Sequence, residues 1–296
     1  MNICVIDGNS IGYSAHYAMK LKAGEQETQA IYGTVKTLIE VKTKHPETKP
    51  IVVWDGRASW RFERCPSYKS NRHSDDPKRE AIRLSYKQQA PFIREILKSM
   101  GVCQLQASTH EADDLAALIV QKKKPDDFIT LLTADQDWLQ LVRHNVIWLD
   151  AKSGKVVSKS NFFDHTGYKT PEAFLDGKCL RGDQSDAIEG VGGIGEKGAP
   201  TFLATYGSVQ NFFDGVDAGV IVPNKKVYKH LASPEGREIY RRNYDVMQLL
   251  DTKPFDPKNL TSNTSASKNK DQFIELCGRF AFVSLMKNPD AILNLF

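Results

Sequence analysis

FITLLTADQD, residues 128–137, decides how the chain is read. Five apolar or β-branched residues, Phe128–Leu132, run almost directly into Asp135 and Asp137. Such residues suit a buried strand, whereas Asp is a poor strand former and normally marks a turn. Two other stretches repeat the arrangement: NICVI (2–6) runs into Asp7, and PIVVW (50–54) runs into Asp55. Residues 102–106 and 146–149 read as further strands, and apolar residues recur at helical spacing through 29–42, 78–99 and 112–122. Strands alternating with helices predict an α/β domain with a mostly parallel central sheet flanked by helices. The carboxyl ends of parallel strands lie along one edge, and ligands bind in the crevice outside it. A single terminal Asp is a turn; three at one edge suggest a site.

HEADDLAALIV (110–120) adds acids to that edge, because its helix follows the strand 102–106. Ser108 and Glu111 have the spacing of a capping box, and Asp113 and Asp114 would gain about 0.3–1 kcal/mol each from the helix dipole. Capping and metal ligation both remain open for this cluster, although one acid suffices for a cap. Asp183 and Asp186, three apart in RGDQSD, read as a pair converging from one turn at a helix end. The candidate set is therefore Asp7, Asp55, Glu111, Asp113, Asp114, Asp135, Asp137, Asp183 and Asp186. Like charges crowd into one cleft only with cations among them. Oxygen ligands without His or Cys point to magnesium or manganese rather than zinc. Two such ions, about 3.5–4 Å apart, activate water and stabilise both oxygens of a phosphodiester displacement.

The totals narrow the class. A chain of 296 residues with 41% hydrophobic composition builds one large domain or two smaller ones. Five scattered cysteines argue against a disulfide framework or a zinc site and fit a reducing cytoplasm. No membrane span or signal-like start is visible, and no polymerase domain is expected to be attached. The net charge is only +4, yet residues 57–98 carry eleven Lys/Arg against five Asp/Glu. This block reads either as a solvated helical face or as a phosphate-binding element, an insertion standing off the sheet edge. Arg79, Arg83 and Lys87 recur every four residues and would line one helix face within it. From Thr170, a predicted N-cap, the pattern turns helical: a helix over 171–180, a glycine-rich turn within 182–208, a polar loop over 261–270 and a last helix over 273–286.

IDGN (6–9), VVWDG (52–56), YKSNR (68–72), EADD (111–114), TADQD (133–137) and GDQSDAIEGVGGIGEKGA (182–199) resemble, in order, the motifs of the structure-specific 5′ nucleases or flap endonucleases. The likeness is to the single-chain bacteriophage type and to the 5′-nuclease domains of bacterial DNA polymerases. It implies a PIN-like α/β core over residues 1–170 with a helical arch at about 57–98. It further implies a helical DNA-binding region over 171–296 with a helix–turn–helix element at about 182–207. By the resemblance, Asp7, Asp55, Glu111, Asp113 and Asp114 mainly serve a first metal, and Asp135, Asp137, Asp183 and Asp186 a second, with Asp135 near both; acids acting through water look the same in sequence. Lys69 and Arg72 match the basic pair expected at the scissile phosphate. Phe62 and Tyr68 read as base-stacking or as packing under the arch. Gly193, Gly195 and Lys197 belong to the turn that grips duplex DNA and often holds potassium, although Gly192 replaces the family's usual proline. The implied partner is DNA with single-stranded 5′ ends or flaps, met by a cytoplasmic monomer, with replication proteins as further partners. The competing readings are a ribonuclease of the same fold and a nuclease-inactive DNA-structure-binding protein.

Overall fold

A computed structural model describes residues 1–72, 76–250, 255–263 and 267–296. Its centre is a mixed sheet of seven strands among the described residues: β1 (Asn2–Asp7), β2 (Lys49–Trp54), β3 (Cys103–Ala107), β4 (Phe128–Leu132), β5 (Val146–Leu149), β6 (Val156–Val157) and β7 (Leu260–Ser262). The order across the sheet is β7-β3-β2-β1-β4-β5-β6. The five strands β1 to β5 pair in parallel, with Ile3 opposite Lys49 and Ile129, while β6 and β7 pair antiparallel at the edges. The order reverses between β1 and β4, so the crevice beyond their carboxyl ends is a topological switch point.

Alternation along the strands divides the core. Val5, Val53, Ile129 and Leu131 face one hydrophobic cluster; Cys4, Ile6, Val52, Trp54 and Leu132 face the other. The first cluster continues without interruption into the helices Ala112–Gln121, Pro171–Arg181, Gly198–Tyr206, Val209–Asp217 and Pro234–Met247. The second is covered by Gly8–Ala18, Gln29–Lys44, Pro77–Ser99 and Lys270–Arg279. Among the described residues no helix is long and apolar enough to cross a membrane.

Three sequence expectations change. The basic segment 57–98 is not an insertion throughout, because its helix Pro77–Ser99 is the crossover between β2 and β3. Ile93, Ile96 and Leu97 are fully buried, each worth about 1.5–3 kcal/mol, so this half of the helix is anchored to the sheet. Its first turns are largely exposed, and the short helix Ser59–Arg64 packs inward through buried Arg61. Among the described residues the exposed part is the helix start around 76–84, whereas Cys65 and Tyr68 are buried; 73–75 lie outside the described residues.

Asp183 and Asp186 are not on one helical turn. The helix Pro171–Arg181 stops at Gly182, whose φ of +79° lies in the left-handed region and where a Cβ would meet Gly190 N at 2.4 Å. The chain instead forms a tight antiparallel pair, Gly182–Asp183 with Ile188–Glu189, that carries both acids around its turn. Finally, the polar stretch expected as a loop over 261–270 begins inside β7, where Leu260 pairs with Ala107; exposed Thr and Ser are tolerated at such a sheet edge. Residues 264–266 of that stretch lie outside the described residues.

Candidate active site

β1 ends at Asp7, and the next residue starts a helix. Asp7 caps that helix, its Oδ1 accepting Ser10 N–H at 2.9 Å while Oδ2 accepts the Thr133 hydroxyl at 3.0 Å. β2 ends one residue before Asp55, which accepts Asn9 Nδ2 at 2.7 Å and Ala112 N–H at 2.9 Å. Asp113, in the first turn of Ala112–Gln121, accepts the Trp138 indole N–H at 2.6 Å. Asp135 follows β4 and accepts Asp137 N–H at 2.8 Å. Three strand ends and one helix start thus bring carboxylates to one crevice.

The electrostatics confirm that these four are neighbours. Burial and the adjacent Asp55 push Asp7 up to about 6. Burial and Asp137 push Asp135 up to about 7. Asp113 is raised well above the ordinary carboxylate range, first by burial and then by Asp135, Asp55, Glu111 and Asp7. The leading charges on Asp113 are all carboxylates. Each oxygen carries two lone pairs, so a single protein donor leaves it able to accept again. Among the described residues no three ligand-type side chains are drawn into a ready ion cage; each acid is held by its own donor.

The remaining acids of the edge have protein cations. Asp137 and Asp183 share the buried ammonium of Lys178, which lies 2.9 Å from Asp183 Oδ2. Burial raises Asp183, but Lys178 and Ser185 outweigh it and hold it near 2. Asp186 accepts Arg72 Nη2 at 3.0 Å; burial still leaves it above its ordinary value. Glu111 receives Tyr68 OH at 2.7 Å, Lys69 Nζ at 2.5 Å and Arg61 Nη1 at 3.1 Å. Burial opposes ionisation there, yet Lys69 and Arg61 bring its pKa below the usual value. A cleft of about 660 Å³, lined by Asp135, Asp137, Lys178 and Asp183, opens beside these groups.

Asp114 departs from the expected ligand set. Arg61 grips both its oxygens, at 2.6 and 2.7 Å, and its side chain is 1% exposed. Asp114 also accepts Glu111 N–H at 2.9 Å, so the capping partner of the helix start is Asp114 rather than Ser108. A third Arg61 donor reaches Val246 O at 2.9 Å, fastening the acidic edge to the helix Pro234–Met247.

Tyr68 is 5% exposed with its hydroxyl on Glu111, so burial removes it from base stacking. Half-buried Phe62 stands edge-on to Tyr68, centroids 5.3 Å apart, with Arg57 over its face. Lys69 has φ +56°, unusual for a side chain with a Cβ, and is pinned by its N–H to Asp186 O at 2.7 Å. That contact joins the basic pair directly to the acid turn. Arg79 and Arg83 are spent on Asp76 and Glu80, and Lys87 is exposed. Gly193, Gly195 and Lys197 are exposed in the turn before Gly198–Tyr206; at Gly193, φ is +74° and a Cβ would strike Val227 at 2.5 Å.

Two family models match consecutive parts of the chain: the 5′-3′ exonuclease N-terminal resolvase-like domain over residues 2–167, and the 5′-3′ exonuclease C-terminal SAM fold over 169–268. The chain belongs to the 5′-3′ exonuclease family. It is 32% identical over 228 residues to a 5′-3′ exonuclease of Mycoplasmopsis pulmonis, covering 76% of this chain and 73% of the relative. It is 31% identical over 226 residues to DNA polymerase I of Mycobacterium bovis, covering 73% of this chain but only 24% of the polymerase, so the chain spans about a quarter of such relatives. The fold is also that of the bacteriophage T5 flap endonuclease, solved with DNA and metal ions, at TM-score 0.72 and 21% identity over 100% of this chain and 99% of that one.

Within this family frame, several site residues escaped the sequence reading. Asn9 and Thr133 lie inside motifs already singled out for their acids, and Lys178 sits five residues before Asp183 in a helix that also carries Glu172, Asp176 and Arg181. Arg61 gave no signal, being one cation among eleven.

Proposed function

We propose that this 5′-3′ exonuclease-family chain is a divalent-metal-dependent, structure-specific 5′ nuclease that hydrolyses phosphodiesters near the 5′ end of branched or nicked DNA. The carrying observation is the convergence of Asp7, Asp55, Asp113 and Asp135 at the switch point of a parallel sheet, where Asp7, Asp113 and Asp135 have raised pKa values. Oxygen-only donors that repel one another fit a hard divalent cation such as magnesium or manganese. These four would hold a first ion, and Asp137, Asp183 and Asp186 a second. Bound there, such ions supply an activated water and stabilise the charge of the displacement.

The chain's own groups then position the phosphodiester. Glu111 and Tyr68 hold the Lys69 ammonium at the edge, and the half-exposed Arg72 offers a planar fork to phosphate oxygens. Arg61 pairs with Glu111 and Asp114 and holds both in place from behind. The turn with Gly193, Gly195 and Lys197 would approach duplex phosphates through its backbone and take potassium on main-chain carbonyls. The likeness to DNA polymerase I supports a role in replication or repair. A cytoplasmic monomer remains the accompanying proposal.

The test compares product lengths from a 5′-flap, a blunt duplex and the same flap with an RNA arm, with magnesium and with a chelator. Cleavage of the DNA flap near the branch in magnesium alone supports the reading. Preference for the RNA arm, or binding without cleavage, would replace it.

A further inference from the structure

A second cleft, of about 410 Å³, lies between the anchored half of the helix Pro77–Ser99, the edge strand β7 and its neighbour β3. Its floor is a fixed polar frame. The Arg94 guanidinium lies 4.7 Å over the buried Trp54 ring and donates to Gln106 Oε1 at 2.6 Å. Gln106 in turn donates to Asp55 O at 2.7 Å, so Arg94 stands two hydrogen bonds from an acid of the candidate active site. Trp54 Nε1 is held by Gln104 Oε1 at 3.0 Å, and Gln104 Nε2 returns to Arg94 O at 2.9 Å. The one carboxylate of the lining, Glu95, accepts from Gln272.

Lys87, Arg94 and Lys98 are separated by seven and four residues, which places them within about 40° of one another around the helix. Among the described residues no carboxylate pairs with any of the three, in contrast to Arg79 and Arg83. The stripe therefore leads from the exposed half of the helix, past Arg94, to Lys98 at the far end of the cleft, and presents positive charge without a carboxylate partner. A cleft of this volume admits a nucleotide-sized group rather than a duplex. An Arg plane fixed on an aromatic ring offers its other face for stacking any base, and the amides around it add no strong sequence preference.

We propose that this cleft, with Lys87, Arg94 and Lys98, is a subsite for the single-stranded 5′ arm beyond the acidic edge. The proposal rests on the nuclease reading above. It predicts that affinity grows with arm length, and that the growth depends on Arg94 and Lys98.

The experiment measures anisotropy of fluorescein-labelled 5′-flap DNA with the full chain in a chelator. One substrate has an arm that stops at the branch, the other an arm about 10 nucleotides long, within the usual span of a single-strand site. The exposed Lys98→Gln variant, and separately Arg94→Gln, should weaken long-arm binding about five- to tenfold and the short-arm complex much less. Each lost phosphate contact should also lower the salt slope of long-arm binding by about 0.7. Equal losses for both arms, or no loss with Lys98→Gln, overturn the subsite. If Arg94→Gln fails to fold, Lys98→Gln alone decides. Failure of the nuclease reading looks different: the unmodified protein then cleaves neither substrate in magnesium.

Discussion

The two halves of the acidic edge solve charge crowding in opposite ways. At Asp137, Asp183 and Glu111 the protein supplies its own cations, Lys178, Lys69 and Arg61, and Glu111 and Asp183 are held below their ordinary pKa values. At Asp7, Asp113 and Asp135 it supplies neutral donors, and burial with mutual repulsion pushes all three up. Where the chain provides a cation, as Lys178 does for Asp137 and Asp183, an incoming metal must share or displace it. Charges left to repel one another favour a cation from outside, as the proposed metal position requires.

The largest effect should come from the uncompensated half. Asp135→Asn is expected to lower magnesium-dependent flap cleavage at least about 10³-fold, equivalent to roughly 4 kcal/mol of transition-state stabilisation. Flap binding in chelator should persist; full turnover by the variant would remove Asp135 from the metal position.

Lys178→Met converts the compensated half toward the other type. Leaving Asp137 and Asp183 without their buried cation should lower the unfolding free energy by about 3 kcal/mol in the absence of metal. Added magnesium should then recover more stability than it gives the unmodified chain, in parallel urea titrations. Unchanged stability would show that Lys178 does not neutralise the pair.

The smallest effect is the pH dependence. Asp7 near 6 and Asp135 near 7 both lie above the ordinary value of 3.8. Between that value and about 7 the folded chain holds more protons than the unfolded chain, so metal-free stability contributed by these groups falls as pH rises. Magnesium needs the ionised carboxylates, so its affinity should rise about tenfold per pH unit for each proton displaced across the upper part of this window. Asp183 titrates near 2 and adds nothing there. Calorimetric affinities that stay flat from about pH 5.5 to 7.5 would contradict the assignment.

Much of this was readable in advance. The strand 128–132 falls where FITLL placed it, and residues 2–6, 50–54 and 146–149 lie within or coincide with observed strands. The Thr170 cap also forms, accepting Ala173 N–H. Periodicity and capping are local physics, carried by neighbours within a few residues. The helix at 77–99 was also visible, but its role was not, because a basic surface and a buried aliphatic stripe share the same helix.

Sequence alone determined the α/β alternation, the delivery of acids to one sheet edge and the oxygen-only character of the site. Tertiary structure decided which acids have partners. Arg61 meets Asp114 across 53 residues, and Lys178 meets Asp137 across 41. Ion pairing depends on which loops the packed sheet brings together, and a carboxylate in sequence carries no mark of the cation it will face.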